Sequence, residues 1–319
     1  MNFNSQLNKL GAERKPFIFI INFDLTAYYV FLTEKVQKDI LLYDVNGFSN
    51  HSSVMERLPP LQLTKYPIDY PKYKKAFDYV VENQVKGNSF LTNLTFPTEI
   101  NINRTLHQIF CESKAKYKLF FKNFVVFSPE CFVQIKEGKI YSFPMKGTID
   151  AAIPNAAQRI LEDAKEKAEH ATIVDLIRND LSRVTSDVQV EQYRYIDQIQ
   201  THDKTILQVS SSVSGKLGDN YHEKIGDIIL TLLPAGSISG APKKKTVEII
   251  KQAETYDRGF YTGIFGYFDG YQLDSGVMIR FVEEIDGKMY YKSGGGITAY
   301  SDPLSEYQEL ITKVYVPIY

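Results

Sequence analysis

Apolar and polar positions alternate most clearly in the middle of the chain. Cys131-Phe132-Val133-Gln134-Ile135 and Lys139-Ile140-Tyr141-Ser142-Phe143 flank the dipeptide Glu137-Gly138, and this pattern predicts a β-hairpin. Continued alternation places Tyr141, Phe143 and Met145 on one strand face and Ser142, Pro144 and Lys146 on the other. Residues 16–66 read mostly as strands and loops, and 70–85 as an amphipathic helix stopped by Gly87. A helix at 105–113, strands within 116–127 and a long helical stretch at 155–184 follow. Next come strands at 188–199 and 206–215, a helix at 222–232, and a loop at 234–240 that leads into a helix with Pro242 in its first turn. Strands at 262–268, 276–282 and 288–293 and a helix at 304–314 complete the pattern. Hairpins mixed with long helices predict an α+β fold with largely antiparallel sheets. No linker, low-complexity tract or repeat divides the chain, so a single domain over 1–319 is expected.

Composition narrows the function classes. With 319 residues, 44% hydrophobic and 13% aromatic, the chain can bury a sizeable core. A formal net charge of -1 gives no electrostatic footprint for nucleic acid or an anionic membrane. Cys111 and Cys131 make neither a disulfide framework nor a zinc spacing. The apolar run at 17–21 is too short to span a bilayer and residues 1–5 are polar, so a cytoplasmic protein is expected.

Four features could carry chemistry. Glu166 and Glu169, and again Glu306 and Glu309, lie three apart on predicted helices, so each pair projects from one face. Two such helices offer hard oxygen donors suited to Mg²⁺ with retained waters, although spacing alone favours solvated helix surface, with Lys165 and Lys167 beside the first pair. Gly236-Ser237-Ile238-Ser239-Gly240-Ala241-Pro242-Lys243 runs into a helix start and would expose backbone N–H groups to an anion, without the spacing of a nucleotide phosphate loop. Ser293-Gly294-Gly295-Gly296-Ile297 lets the backbone approach a ligand closely and also suits a strand-end turn. Arg280 follows Val277-Met278-Ile279, so it reads as a charge in a buried strand that needs a carboxylate partner. Lys146, before Gly147-Thr148, is by itself a solvated strand-end lysine.

Taken in order, a set of segments resembles the chorismate-utilising enzymes, the family of anthranilate synthase component I, aminodeoxychorismate synthase component I, isochorismate synthase and salicylate synthase. The segments are Ser128-Pro129-Glu130, Pro144-Met145-Lys146-Gly147-Thr148, Glu166-Lys167-Ala168-Glu169-His170, and Ile173-Val174-Asp175-Leu176-Ile177-Arg178-Asn179-Asp180-Leu181. They continue with 234–243, Tyr261-Thr262-Gly263-Ile264-Phe265-Gly266-Tyr267, Ile279-Arg280, Gly294-Gly295-Gly296-Ile297, and Ser301-Asp302-Pro303 through Glu306-Tyr307-Gln308-Glu309. The resemblance covers the chain from about Gly87 to the last helix. It implies one large domain of two mainly antiparallel sheets packed face to face and flanked by helices. That domain has a shortened N-terminal region (1–86) and a motif-bearing core (87–319).

The lysine in Pro-x-Lys-Gly-Thr resembles aminodeoxychorismate synthases, whereas anthranilate synthases usually carry Ala there. The resemblance implies that Lys146 adds to C2 of chorismate as the C4 hydroxyl leaves, and that ammonia then attacks C4 to displace the lysine. Glu130 would be the general acid and would need a raised pKa; Lys146 would have to be neutral to attack. Glu166, Glu169, Glu306 and Glu309 would form the Mg²⁺ shell. Thr148, Gly236, Ser237, Ser239, Lys243, Arg280, Gly294, Gly295, Gly296 and Tyr261 would bind substrate, with Tyr261 a better motif match than Tyr267. The expected product is 4-amino-4-deoxychorismate, on the way to 4-aminobenzoate and folate. Neither cysteine sits in a Gly-x-Cys-x-Gly setting, so ammonia is expected from a separate glutamine amidotransferase subunit.

The chain also departs from the family pattern. Gln208 stands where a histidine is common, and it cannot take a proton. Leu91 stands where aminating members tend to have Gln and isochorismate synthases the Lys that activates water, so water addition at C2 is disfavoured. Tyr300 replaces a frequent Asp and Leu310 a frequent Thr. No tryptophan-sensing motif is found before Gly87. The competing functions are anthranilate synthase, disfavoured by Lys146, isochorismate or salicylate synthase, disfavoured by Leu91, and an inactive chorismate- or glutaminase-binding subunit. Against the last stand Glu130, Lys146, Arg280 and the four glutamates, all present together.

Overall fold

The expected hairpin forms between Cys131–Lys136 and Lys139–Ser142. Glu137 and Gly138 both take positive φ, 52° and 72°, as a two-residue turn matched to strand twist requires. The structure is a computed structural model that describes residues 1–52, 58–200 and 205–318. The part of the 16–66 expectation at 53–57 lies outside those residues. Among the described residues two nine-stranded sheets form. One runs Met145–Asp150, Thr205–Lys216, Lys139–Ser142, Cys131–Lys136, Leu273–Val277, Ile264–Phe268, Phe17–Ile21, Tyr28–Leu32, with Ser186–Gln200 also on Thr205–Lys216. The other runs Gly240–Ala241, Leu91–Ile102, Lys288–Ile297, Phe281–Ile285, Phe124–Ser128, Tyr117–Phe121, Leu41–Val45, Phe48–Ser49, with Leu63–Tyr66 also on Leu91–Ile102. The pairs that carry the motifs are antiparallel, and the α+β class with two such sheets and helices is as expected. No described helix is long and apolar enough to cross a membrane.

The chain forms two compact units. The first comprises Met1–Ile18, Cys131–Gly236 and Gly266–Ser275; the second comprises Phe19–Glu130, Ser237–Phe265 and Gly276–Tyr319. In the first, Val133, Ile135, Ile140, Val209 and Val213 are buried strand residues. The second holds two apolar clusters. Phe110, Val125, Phe127, Val282 and Tyr291 centre one, and Tyr73, Phe77, Phe96, Ile249 and Ile297 the other.

Several elements differ from the sequence pattern, each for a local reason. The polar N-terminus is a helix, Phe3–Ala12, whose Asn2 cap accepts from Ser5 N at 3.1 Å and which buries only Phe3, Leu7 and Gly11. Side chains hold it as well as apolar contact: Asn8 accepts from Gly226 N at 2.8 Å, and Asn4 and Asn8 both donate to Asp227 at 2.7 Å. The stretch 155–184 is two helices, Ala156–Glu162 and Ala164–Leu181, because Asp163 ends the first and caps the second by accepting from Glu166 N at 2.9 Å. The 234–240 loop holds a one-turn helix, Gly236–Ser239, and a two-residue strand, Gly240–Ala241, on Leu91–Ile102; Pro242 is the N-cap of Lys243–Ala253.

Three corrections fall on motif residues. Arg280 is not in a strand, since the expected 276–282 strand breaks into Leu273–Val277 and Phe281–Ile285, with Arg280 left-handed at φ 52° between them. Gly294, Gly295 and Gly296 form no turn but continue Lys288–Ile297, paired with Thr95, Leu94 and Asn93. Alternation does not run on to Lys146, because the hairpin strand ends at Ser142. The next strand shifts register between Met145↔Ser210 and Thr148↔Gln208, with Gly147 at φ 90°.

Candidate active site

Within the first unit, strand Met145–Asp150 presents Lys146 to helix Ala164–Leu181. Lys146 Nζ lies 2.8 Å from Glu169 Oε2, and Lys165 Nζ 3.8 Å from Glu169 Oε1. The Lys146 side chain is 39% exposed, so this lysine is neither loose in solvent nor sealed in a core. An ion-paired lysine is an ammonium without a lone pair, and attack on carbon requires its proton to leave first. Glu166, one helical turn from Glu169, has a buried Oε2 with no hydrogen-bond partner. Burial pushes the Glu166 carboxyl up, Lys146 pulls it down, and the neighbouring Glu169 and Asp163 carboxylates push it up again. Gly147 is needed twice over: it takes positive φ, and a Cβ there would lie 2.7 Å from Glu166 Oε2.

The segment before Lys146 is held by residues that sequence reasoning did not single out. His170 is fully buried, its Nε2 is 2.7 Å from Ser211 Oγ, and Ser211 N donates to Pro144 O at 3.0 Å. Burial holds the imidazole toward its neutral form. Thr148 is exposed and pairs in register with Gln208. Gly236 closes against the same helix, where a Cβ would meet Leu176 at 3.0 Å and Asp180 Oδ2 at 3.1 Å.

Within the second unit the acid and the anion-binding candidates gather. The Ser237 hydroxyl donates to Glu130 Oε1, while Ser128 Oγ accepts from Glu130 N at 3.1 Å and Glu130 O accepts from Val277 N at 3.1 Å. Burial raises the Glu130 carboxyl above its ordinary value, opposed by the Ser237 hydrogen bond and the positive charges of Arg280 and Lys313. That direction is the one a proton donor needs. Arg280, which the sequence reading expects to need a carboxylate partner, is surrounded by aromatic groups as well as by Glu130. Its guanidinium lies over the Tyr315 ring at 5.2 Å, it acts on the phenols of Tyr291 and Tyr261 as well as on Glu130, and its buried Nε has no hydrogen-bond partner. Burial pushes the Tyr261 hydroxyl well above its ordinary range, so it stays a neutral donor. Ser239 is buried, and Lys243 opens the helix that follows.

The glutamates of the last helix converge on the glycine strand. A Cβ on Gly295 would lie 3.2 Å from Glu306 Oε2 and 3.9 Å from both Glu309 Oε1 and Lys313 Nζ. Glu306 accepts from Ser301 Oγ at 2.9 Å, and Lys313 Nζ sits 2.6 Å from Glu309 and donates to Gly294 O at 2.9 Å. Lys313 was not anticipated; its i,i+4 spacing from Glu309 was the available signal. Among the described residues no three His, Cys, Asp or Glu side chains cluster into a metal cage. Mg²⁺ does not demand one, because it keeps several waters and takes one or two carboxylates together with substrate oxygens. The donor chemistry of both pairs fits that demand, and the orphaned Glu166 Oε2 is an acceptor that a cation would satisfy.

The profile of the chorismate binding enzyme family matches residues 19–318. The chain belongs to the chorismate-binding enzyme family. An "Uncharacterized PabA-like protein" of Haemophilus influenzae is 49% identical over 318 residues, covering 99% of this chain and 97% of that protein. "Aminodeoxychorismate synthase component 1" of Bacillus subtilis is 27% identical over 348 residues, covering 98% of this chain and 72% of that protein. The solved structure of anthranilate synthase component I from Streptococcus pneumoniae superposes with a TM-score of 0.69 at 28% identity, covering 80% of this chain and 59% of that one. Membership of this family, rather than any one of these relatives, makes the chain a chorismate-utilising enzyme. Two of them carry the names of different synthases at nearly equal identity, so the choice between reactions falls to individual residues.

Proposed function

We propose that the protein is an aminodeoxychorismate synthase component I, aminating chorismate at C4 with ammonia delivered by a separate glutamine amidotransferase. The observation that carries this reading is Lys146, a primary amine held 2.8 Å from Glu169 beside a second, hydrogen-bond-deficient carboxylate. In the proposed sequence the neutral Lys146 amine forms a bond to C2 of chorismate, the ring double bonds shift, and the C4–O bond breaks. The departing hydroxyl takes the proton of Glu130 and leaves as water. Ammonia then bonds to C4, the double bonds shift back, the C2–N bond to Lys146 breaks, and the proton lost by the incoming nitrogen restores Glu130. The net change is chorismate plus ammonia to 4-amino-4-deoxychorismate plus water.

Glu166 with Glu169 in the first unit, and Glu306 with Glu309 in the second, are the carboxylates that would serve Mg²⁺, which when bound would supply positive charge for the substrate ring carboxylate. Arg280, with its unsatisfied buried Nε, and Lys313 would meet carboxylate oxygens through charge-assisted hydrogen bonds. Gly295 leaves the strand face toward Glu306 and Glu309 bare enough for close approach, Gly294 and Gly296 let the paired strand Leu91–Ile102 close up behind it, and the Ser237–Ser239 turn supplies hydroxyl and backbone donors. The similarity to anthranilate synthase component I makes amination at C2 the competing reading. Incubation with chorismate, Mg²⁺ and ammonium, with and without an added aminodeoxychorismate lyase, separates the two by mass-detected chromatography. Formation of 4-aminobenzoate only when lyase is present supports C4 amination; anthranilate, isochorismate or unchanged chorismate overturns it.

A further inference from the structure

The most completely satisfied buried charge in the second unit lies outside the motifs that suggested the site. The side chains of Glu254 and Arg258 are each 2% exposed, and Arg258 Nη2 and Nε reach Glu254 Oε1 and Oε2 at 2.6 and 2.8 Å. The other guanidinium hydrogens are also committed. Nη1 donates to Ile238 O at 2.9 Å and Thr262 Oγ1 at 3.3 Å, and Nη2 donates to Asn93 O at 2.7 Å. All five N–H donors of the planar fork are therefore used. Glu254 Oε1 in turn accepts from Thr95 N at 2.9 Å and Thr95 Oγ1 at 2.8 Å, and the Phe23 ring lies 4.6 Å from the guanidinium carbon.

These partners are not a random set. Ile238 belongs to the one-turn helix Gly236–Ser239, between Ser237, which donates to Glu130, and Ser239, which is buried. Asn93 and Thr95 lie on strand Leu91–Ile102, in register with Gly296 and Gly294. Thr262 follows Tyr261 and is itself left-handed, at φ 62°. One side chain thus fixes the turn, the strand behind the glycines and the Tyr261 corner to each other. Well-packed apolar residues often serve stability as well as a buried ion pair does, so what this pair adds is a fixed geometry.

We propose that Arg258, clamped by Glu254, is the positioning residue of the Gly236–Ser239 turn and, through Ser237, holds the Glu130 carboxyl in its working orientation. The inference rests on the reading of Glu130 as the acid. Around that carboxyl the facing groups are Ser237, Arg280, Lys313 and Tyr261. Of these groups Arg258 acts directly on Tyr261, through its charge; its tie to Glu130 runs through Ile238 and Ser237, so its effect on that carboxyl must pass through the backbone it holds.

The test compares Arg258→Lys, Ser237→Ala, the double variant and wild type in the full chain, by amide hydrogen exchange over 236–241 and by chorismate consumption whatever the product. Lysine keeps the charge but has three donors and no planar fork. Arg258→Lys is expected to speed exchange in 236–241 about tenfold. It should also lower kcat by about a hundredfold, the scale of an ångström-sized misplacement, with KM moved far less. In the Ser237→Ala background the same substitution should cost kcat little. Unchanged exchange in 236–241, or kcat losses that simply multiply, would overturn the proposal and leave Arg258 a purely structural residue. If Arg258→Lys does not fold, Thr262→Val, which removes one partner of Nη1, must show faster exchange in the same segment; unchanged exchange there counts against the proposal. A wild-type chain that consumes no chorismate would sink the enzymatic reading, while the exchange measurement still decides whether Arg258 holds the turn.

Discussion

Adjacent glycines of strand Lys288–Ile297 offer an experiment in which the same substitution should have opposite consequences. Successive Cβ directions alternate across a strand, so Gly294 and Gly295 face different surroundings. A methyl carbon on Gly294 would lie 2.3 Å from Leu94 O and 2.8 Å from Thr95 Cα, both backbone atoms of the paired strand. They cannot yield without disturbing the Gly294↔Thr95 register. Overpacking of this kind costs about 1–3 kcal/mol. On Gly295 the nearest atoms are Glu306 Oε2 at 3.2 Å and, at ordinary contact distance, Glu309 Oε1 and Lys313 Nζ at 3.9 Å. Glu306 Oε2 ends a flexible side chain, and Ala gains about 0.4–1 kcal/mol by restricting the unfolded chain, so the net change in stability should be close to zero. The methyl would nonetheless occupy the face that the Glu306, Glu309 and Lys313 cluster presents. Gly294→Ala is therefore expected to shift the denaturant midpoint downward, whereas Gly295→Ala keeps it and loses about a hundredfold in chorismate turnover through misplaced groups. Denaturant titrations followed by turnover per folded molecule check both. If Gly295→Ala proves as unstable as Gly294→Ala, or turns over at the wild-type rate, the placement of the acidic pair over Gly295 is wrong.

Other outcomes follow from the same geometry. Lys146→Ala should abolish product formation while costing no more than about 1 kcal/mol, since its ion pair is partly exposed; a variant that retains wild-type activity rules out covalent catalysis. Glu169→Gln and Glu309→Gln should each raise the Mg²⁺ concentration needed for half-maximal activity, and chelation should remove chorismate-induced thermal stabilisation. Unmoved Mg²⁺ titrations would take both residues out of the metal shell. For Glu130, burial raises the folded carboxyl above its unfolded value, so the folded state keeps a proton that the unfolded state releases. The Glu130 contribution to stability must then fall as pH rises from the ordinary carboxyl range through the raised folded value, so the stability of wild type relative to Glu130→Gln must decline over that range. Parallel stability–pH curves for the two proteins would contradict it.

Much of the fold was legible because its signals are local. The Glu137-Gly138 turn, the Gly87 stop and the i,i+3 glutamates all rest on neighbours a few residues apart. The N-terminal helix was not legible, since it buries only Phe3, Leu7 and Gly11 and is docked by Asn4 and Asn8 side chains that read as polar tail. Arg280 was misplaced in a strand because nothing in Val277-Met278-Ile279-Arg280-Phe281-Val282 marks the reversal to positive φ. Lys146 looked like a surface charge until its segment was compared with a family, because the carboxylate that pairs with it comes from a helix more than twenty residues later. Arg258 escaped for a related reason. It lies outside every segment that carried the resemblance, and its ties to Ile238, Asn93 and Thr262 exist only after the second unit has folded.

The central claim is that Lys146 is a nucleophile. Intact-protein mass measurement after mixing with chorismate and Mg²⁺, without ammonia and with rapid acid quench, tests it most directly. The account predicts a species heavier by chorismate less one water, mapped by peptide digestion to Lys146, absent in Lys146→Ala and discharged when ammonium is added. A protein that converts chorismate with ammonium yet never carries that mass would contradict it.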